Sequence, residues 1–233
     1  MHSMMKNVGK HVAALVLFLG LVMAYFSPAV FDGKVIRQGD NVKAAGMGGS
    51  QVDKYAKTAE PGEFSVWSDA MFSGMPYGPG YGSPAPELPS YGIVDGWLKT
   101  PGYTHAAMVF TGLVCFYLLM CIMGVNWWLA IAGAIAFAFA SYNIIIIEAG
   151  HITKVIGYMP VTLAGMFLLF KRKWLWGAVL FLLGVAFSLL NGHVQITYYL
   201  VLLCFFIYLG YSIKMLKEKQ NADWLKTSLI MLA

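Results

Sequence analysis

Long apolar segments dominate this chain and limit it to very few folds. A helix needs roughly 20 mostly apolar residues to cross a bilayer, and about 17 can suffice. Six candidate segments occupy residues 12–29, 106–125, 127–147, 155–170, 174–190 and 194–213. Because 59% of the 233 residues are hydrophobic and only 12% are charged, a soluble core of this size could not bury the apolar surface. The composition therefore excludes a soluble enzyme and a disordered chain, and it predicts an all-α polytopic membrane protein with about six transmembrane helices.

The six segments divide the chain into four predicted parts. These are a cytoplasmic tail with the first transmembrane helix (1–29), a long external loop (30–105), a five-helix transmembrane bundle (106–213) and a cytoplasmic linker with the start of a seventh span (214–233). The seventh span would be cut off soon after Leu229, so we expect the chain to be the N-terminal part of a longer protein. A cleaved signal peptide is the alternative for the first segment, but no A-x-A site follows it.

The external loop has a mixed composition. Residues 40–58 and 93–99 have the composition of short interfacial helices. Residues 74–92 are rich in Gly, Pro and Tyr, and both Gly and Pro disfavour regular structure. No phosphate-cradling Gly-x-x-x-x-Gly-Lys, nucleophile-elbow Gly-x-Ser-x-Gly or zinc-binding HExxH motif occurs anywhere in the chain. The loop therefore offers no soluble-enzyme signature.

The basic residues predict the orientation of the bundle. Nine of them fall on one side of the predicted membrane, namely Lys6, Lys10, Lys171, Arg172, Lys173, Lys214, Lys217, Lys219 and Lys226. The short loops on the other side contain only Lys154. Because short cytoplasmic loops carry the excess of Lys and Arg, we expect a cytoplasmic N-terminus and an external long loop. The net charge of +5 thus reflects topology and does not indicate a nucleic-acid partner.

Two polar clusters follow segments that exit on the external side. They are Glu148, His151 and Lys154 after the third segment, and Asn191, His193 and Gln195 after the fifth. The first three are spaced three apart, so on a helix they would share one face. Ionisable residues at membrane depth are costly and often functional, whereas polar groups at a helix end can also simply meet water and headgroups. Two independent clusters on one side favour a functional site on the external face.

A metal site is a weaker alternative for the same residues. Glu148 and His151 form an E-x-x-H pair, which presents a carboxylate and an imidazole on one helix face, and His193 could complete the site. Only one such motif occurs and the spacing is not that of a zinc site, so we expect no cofactor, with a divalent metal as the alternative. The three cysteines all lie in apolar segments and do not form a disulfide framework.

Three aspartates of the external loop are candidates for acid–base chemistry. From the sequence alone, Asp40 fits a turn or a helix N-cap. Asp32 precedes a glycine and is typical of a turn, and Asp69 is either an N-cap or a ligand contact. Asn143, near the end of the third segment, either faces the same external site or forms hydrogen bonds between helices.

Several short stretches occur in an order that is familiar from one family. They are YFSP (25–28), QGD (38–40), WSDAMFSGMP (67–76), NWWLA (126–130), AFAFASY (136–142), EAGH (148–151) with Lys154, and NGHVQITYY (191–199). In this order they resemble the YfhO-like family of large bacterial membrane proteins, which is placed with the GT-C glycosyltransferases. The resemblance runs along nearly the whole chain and is closest to versions from Bacteroidetes-type bacteria. Family members are several times longer, and residues 77–104 depart from the family's pattern in their Gly, Pro and Tyr content.

The resemblance implies a glycosyltransferase of the bacterial inner membrane with its site on the external face. Such enzymes take a sugar from a polyprenyl-phosphate carrier and place a catalytic carboxylate soon after the first span. Asp40 occupies that place here and is by resemblance the catalytic base. The residues that would bind substrate are Glu148, His151, Lys154, Asn191, His193, Gln195 and Asp69. The implied partners are a lipid-linked sugar donor, a glycan or lipid acceptor and membrane lipid.

Two other classes of protein stay open. A lipid or sugar transporter would show paired repeats, spans broken by Gly or Pro, and charges near the midplane. The fourth segment contains Gly157 and Pro160, but no acidic residue lies near any midplane. A structural or assembly protein with an external docking loop would tolerate changes at Asp40 or His151.

Overall fold

A computed structural model divides the chain into two compact units, residues 1–34 with 97–233, and residues 35–96. The structure describes residues 2–34, 36, 39, 42–43, 46, 67–68, 73–76, 104–147, 151–190 and 194–232. The described part of the larger unit is a bundle of α-helices. The described part of the smaller unit includes one pair of short antiparallel strands.

The bundle follows the apolar segments closely. Its helices are α1 (His2–Tyr25), α2 (Ser27–Val30), α3 (Thr104–Met123), α4 (Trp127–Ala138), α5 (Ser141–Ile145), α6 (His151–Phe170), α7 (Trp174–Leu190), α8 (Val194–Lys217) and α9 (Asn221–Leu232). Three described stretches are long and apolar enough to cross a membrane: Val8–Tyr25, His105–Met123 and Gln195–Lys217. Shorter apolar stretches are Trp127–Ala138, Val155–Phe170 and Trp174–Leu189. The fold is therefore that of a helical membrane protein.

Helix α6 lies at the centre of the bundle, where it packs on both α3 and α7. Its residues Val155, Ala164 and Leu169 are fully buried. The outer helices instead present large apolar side chains outward, such as Leu175 of α7, which is 71% exposed, and Val16 of α1, which is 65% exposed. Apolar side chains facing outward on this scale suit a hydrocarbon environment and would be costly in water.

Contacts between helices establish their relative directions. Lys171, just after α6, donates a hydrogen bond to the carbonyl oxygen of Ile122, so α3 and α6 end side by side and run parallel. His11 of α1 shares a 2.8 Å hydrogen bond between its Nδ1 and the Tyr117 hydroxyl near the end of α3. Tyr25 at the end of α1 packs on Phe139 just after α4, with 5.1 Å between ring centroids. Because α4 turns back along α3, the end of α1 lies toward the beginning of α3, and these two helices run antiparallel.

One end of the bundle holds seven of the described basic residues, and we call it the basic end. It consists of Lys171, Arg172, Lys173, Lys214, Lys217, Lys219 and Lys226. Arg172 pairs with Asp223 at the start of α9, with 2.8 Å between guanidinium and carboxylate. The Lys226 ammonium lies 4.7 Å above the ring of Trp174. These contacts connect the α6–α7 turn to α9, and the other end of the bundle is called the opposite end below.

The prediction of one continuous helix over residues 127–147 is wrong. Helix α4 ends at Ala138, Ala140 has an extended backbone with φ −54° and ψ 140°, and α5 begins at Ser141. No proline or glycine causes the break. At the break the Phe137 carbonyl accepts a long 3.3 Å hydrogen bond from the Ala140 N–H and a 2.8 Å hydrogen bond from the buried side chain of Asn143.

The described part of residues 30–105 contains a small element that the sequence pattern does not predict. Strand β1 (Trp67–Ser68) pairs antiparallel with β2 (Met75–Pro76), with Trp67 opposite Pro76. The turn uses Ser73 and Gly74, both at positive φ. The predicted interfacial helices at 40–58 and 93–99 lie outside the described residues, apart from isolated positions of the first.

Candidate functional site at the end opposite the lysines

The packing of α6 against α7 brings the start of one helix beside the end of the other. An added Cβ at Gly184 would lie 2.5 Å from the Thr162 backbone nitrogen, so the two backbones are in direct contact there. One turn further, the rings of Tyr158 and Phe187 lie 4.7 Å apart. The chain therefore reaches the opposite end both at the first turn of α6 and at the last turn of α7.

A buried pair of hydroxyl groups holds the start of α8 at the same place. Ser188 near the end of α7 and Thr197 in the first turn of α8 are both buried, and their side-chain oxygens lie 2.9 Å apart. Thr197 also donates to the Ser188 carbonyl oxygen at 3.2 Å. The first turn of α8, which contains Gln195 of the second polar cluster, is thereby held against the last turn of α7.

The structure describes three of the predicted site residues at least in their backbone. His151 and Lys154 lie in the first turn of α6, and residues three apart on a helix share a face. Gln195 lies in the first turn of α8, where its exposed side chain donates a 2.9 Å hydrogen bond to the Tyr199 hydroxyl. The side chains of His151 and Lys154 lie outside the described residues. So do Asp40, Asp69, Glu148, Asn191 and His193 entirely.

Two helix starts place hydrogen-bond donors at the opposite end. The first backbone N–H groups of a helix have no partner within it, and the helix dipole places about half a positive charge at that terminus. Both α6 and α8 begin at this end, and their first turns contain Lys154 and Gln195. The end of α7 lies here too and contributes free carbonyl groups and a negative dipole end. The opposite end therefore offers both donors and acceptors, which suits a hydroxyl-rich ligand, with the positive groups at the two helix starts.

Asn143 serves a structural purpose in its own span. It lines a small cavity with Met108, Val109, Gly112, Phe137, Ala138 and Gly157. The cavity has about 10 Å³ of room, which is about enough for one water molecule. Asn143 was also a candidate for hydrogen bonding between spans. Its described hydrogen bond instead stays within the predicted span 127–147, because the acceptor is the Phe137 carbonyl. The cavity beside it is too small for a sugar.

Two buried hydroxyls on α6 were missed by the sequence analysis. The Tyr158 and Thr162 oxygens have no hydrogen-bond partner in the described part of the chain. The two residues are one turn apart and so lie on the same side of α6. A hydroxyl without a partner is costly in an apolar interior. The signal was available, since two hydroxyl residues four apart stand out in an otherwise apolar segment.

Neither a metal cluster nor a disulfide occurs within the ranges the structure describes. No group of three or more His, Cys, Asp or Glu residues lies close enough there to hold a metal ion. The side chains of Glu148, His151 and His193 lie outside the described residues, so the metal alternative stays a prediction. Cys115, Cys121 and Cys204 are free thiols.

Comparison with known proteins leaves the family open. The chain matches no protein-family model, no curated protein and no solved structure. Membership of the YfhO-like family therefore stays a prediction from the ordered stretches of the sequence.

Proposed function

We propose that the chain belongs to a membrane glycosyltransferase that transfers a sugar from a polyprenyl-phosphate carrier to a glycan or lipid acceptor outside the cytoplasm. The observation that supports the proposal is that two helices next to the polar clusters begin at the end opposite the basic end. His151 and Lys154 lie in the first turn of α6 and Gln195 in the first turn of α8. The Ser188–Thr197 bond holds the start of α8 to the end of α7, which packs beside the start of α6.

The chemistry of the transfer suits this end of the bundle. The acceptor hydroxyl attacks the anomeric carbon, the bond from that carbon to the phosphate oxygen breaks, and the carrier leaves as a lipid phosphate. The departing anion would be stabilised by the helix starts and by cationic or imidazole side chains, for which Lys154, His151 and His193 are the candidates. Glu148, Asn191 and Gln195 provide groups of the kind that hydrogen-bond sugar hydroxyls.

Asp40 is the proposed general base, which accepts the proton of the acceptor hydroxyl. It follows the first span by a short stretch of chain, as a catalytic carboxylate of this class would. Asp32 is a natural comparison. It lies exposed in the turn after α2, with its carboxylate 3.5 Å from the Lys34 ammonium, a surface pair of little energetic consequence.

The test uses the protein reconstituted in liposomes with labelled polyprenyl-phosphate sugars. Wild type is expected to transfer the label to an acceptor, Asp40→Asn to lose at least about a hundredfold in rate, and Asp32→Asn to behave as wild type. The pair is matched, because both changes remove one carboxylate from the same region. Transfer that survives in Asp40→Asn would refute the base assignment, and no transfer by wild type with any donor would count against the enzyme class.

One observation favours transport as the second candidate. The span formed by α4 and α5 is broken at Phe139–Ala140 without proline or glycine, and broken spans line the binding sites of many transporters. A transporter would move the labelled lipid or sugar across the liposome membrane without joining it to an acceptor. Measuring the side on which the label resides in the same liposomes therefore separates the two functions.

A further inference from the structure

A groove on the outer surface of α8 lies near the basic end. It is lined by Phe167 of α6 and by Phe206, Ile207, Gly210, Tyr211 and Lys214 of α8. The groove has about 390 Å³ of room and is open along its outer side. Five of its six lining residues are apolar, aromatic or glycine, and the sixth is a lysine. An apolar channel that ends in one cation is complementary to a lipid with an apolar acyl chain and an anionic headgroup.

The floor of the groove is made of packed aromatic rings. Tyr211 stacks on Phe170, with 4.2 Å between ring centroids and an interplanar angle of 6°. Phe167 contacts Tyr211 edge to face, with 5.9 Å between ring centroids. Gly210 leaves the groove open, since a Cβ added there would meet no atom within 4 Å. The groove thus has a well-packed floor and a gap that a larger side chain at residue 210 would fill.

Helix α9 uses a different face of α8. Tyr208 shares a 2.6 Å hydrogen bond with Ser228 of α9, and Trp224 of α9 donates a 3.0 Å hydrogen bond to Ser212. Residues 208 and 212 are one turn apart on the helix, whereas 207, 211 and 214 follow the adjacent stripe. Contact with α9 therefore leaves the groove uncovered.

Lys214 differs from several other cations of the basic end. Lys171 donates to the Ile122 carbonyl, Arg172 pairs with Asp223, and Lys226 lies over the Trp174 ring. Lys214 is exposed and has no ion-pair partner among the residues that the structure describes. Its charge is therefore available to a ligand that lies in the groove.

The length of the groove matches one leaflet of a bilayer. Phe206 and Lys214 are eight residues apart on α8, which corresponds to about 12 Å along the helix axis. Half of a bilayer's hydrocarbon core is about 15 Å thick. An acyl chain in the groove would thus extend from the Lys214 level toward the middle of the membrane.

We propose that this groove is a binding site for an anionic phospholipid of the leaflet at the basic end, with one acyl chain along Phe206–Tyr211 and the phosphate at Lys214. Because the excess of Lys and Arg predicts that this end is cytoplasmic, the ligand comes from the leaflet whose surface is negatively charged. The site is separate from the proposed transferase site, since it lies at the other end of the bundle, and it does not depend on that function.

Native mass spectrometry of the purified, delipidated protein tests the site. Phosphatidylglycerol and phosphatidylcholine with identical acyl chains are titrated, and the affinity of the first bound lipid is compared. Wild type is expected to prefer phosphatidylglycerol about fivefold, the effect of one lysine at an anionic surface. Lys214→Gln is expected to abolish the preference, while Lys217→Gln, which removes an exposed charge one turn away outside the groove, keeps it.

A second pair of variants tests the apolar part of the groove. Gly210→Leu is expected to weaken the binding of both lipids, because the new side chain occupies the groove without meeting another atom of the protein. Gly20→Leu is the control, since Gly20 of α1 also has open space around its Cβ position. Leucine favours the helix over glycine at both positions, so folding should persist, and equal melting temperatures would verify this.

Three results would overturn the proposal. Equal affinity of wild type for the two lipids would show that the site does not recognise an anionic headgroup. Equal losses in Lys214→Gln and Lys217→Gln, or in Gly210→Leu and Gly20→Leu, would show a general effect of charge or of apolar surface. If wild type has the mass of a dimer and Gly210→Leu the mass of a monomer, the groove is the contact surface for a second copy of the protein.

Discussion

At the scale of single residues, Asn143 shows how one polar side chain can hold a break in an apolar span. Where α4 ends, the backbone carbonyl of Phe137 accepts only a long 3.3 Å hydrogen bond from the Ala140 N–H. The Asn143 side chain is only 7% exposed and donates a second, shorter hydrogen bond to the same carbonyl at 2.8 Å. The sequence shows that Asn143 is an unusual polar residue in an apolar segment. Its partner could not be predicted, because it depends on a helix break at which the sequence has neither proline nor glycine.

Replacing Asn143 by alanine is expected to destabilise the bundle by about 1 kcal/mol, because the Phe137 carbonyl would then keep only the long 3.3 Å hydrogen bond from the Ala140 N–H. Unfolding in a series of detergent mixtures measures the change. Ser141→Ala is the control, since Ser141 begins the same short helix with an exposed side chain. An unchanged unfolding midpoint in Asn143→Ala would mean that the carbonyl finds another donor.

Tyr158 provides the opposite case. Its hydroxyl is buried without a partner among the described residues, so Tyr158→Phe removes a desolvated polar group and keeps the ring that packs on Phe187. The free energy of unfolding is expected to stay equal or to rise by up to about 1 kcal/mol. Thr197→Val should lower it instead, since this change breaks the buried bond to Ser188. Thermal unfolding in one detergent compares the two, and a clear loss in Tyr158→Phe would reveal a partner for the hydroxyl.

At the scale of elements, the α6–α7 contact is built from glycine. A Cβ at Gly165 would lie 2.6 Å from the Phe181 Cα, and one at Gly177 would lie 2.8 Å from the Leu169 nitrogen. Small residues let helix backbones approach closely in a membrane, where dispersion contacts replace the hydrophobic effect as the source of association. The close approach also determines where the end of α7 meets the start of α6.

Gly165→Ala is expected to cost about 1–3 kcal/mol, the usual range for overpacking, because the new methyl group meets backbone atoms that cannot rotate away. Gly112→Ala is a matched control. Its Cβ would lie 3.7 Å from the Ala138 Cβ and 4.0 Å from the Gly157 Cα, which are ordinary contacts. Detergent unfolding of both variants measures the difference, and equal stabilities would contradict the tight α6–α7 contact.

The elements also show what the sequence can and cannot predict. Hydropathy located the apolar helices within a few residues, as in the segment 106–125, which is Thr104–Met123 in the structure. The break at Phe139–Ala140 was missed because hydropathy does not register backbone direction. The close approach of α6 and α7 was missed because a glycine in a sequence does not indicate which helix packs against it. For the site, the sequence predicted that both polar clusters follow segments that exit on one side, but it placed His151 and Lys154 before the fourth segment, whereas α6 begins at His151. It could not predict the Ser188–Thr197 bond that joins the end of α7 to the start of α8.

At the scale of the whole molecule, the basic end is held by a few contacts that join separate helices. The Lys171–Ile122 hydrogen bond joins the ends of α6 and α3, and the Arg172–Asp223 pair joins the α6–α7 turn to α9. Both hold elements on the side that the positive-inside rule assigns to the cytoplasm. The helix directions agree with this assignment, since α3, α6 and α8 all end at the basic end. Orientation is thus the property on which the external site and the leaflet of the lipid groove both depend.

Single cysteines tested with a membrane-impermeant maleimide would determine the orientation. Lys173→Cys lies at the basic end and Gln195→Cys at the opposite end, and both positions are exposed. In intact cells Gln195→Cys is expected to react, because only a water-exposed thiol forms the reactive thiolate, and Lys173→Cys is expected to react only after permeabilisation. Wild type provides the background, since Cys115 and Cys204 are buried and Cys121 is half-buried. The reverse labelling pattern would place the two polar clusters in the cytoplasm, where an external glycosyltransferase site is excluded. The helix packing would be unchanged, and the groove would then face the external leaflet.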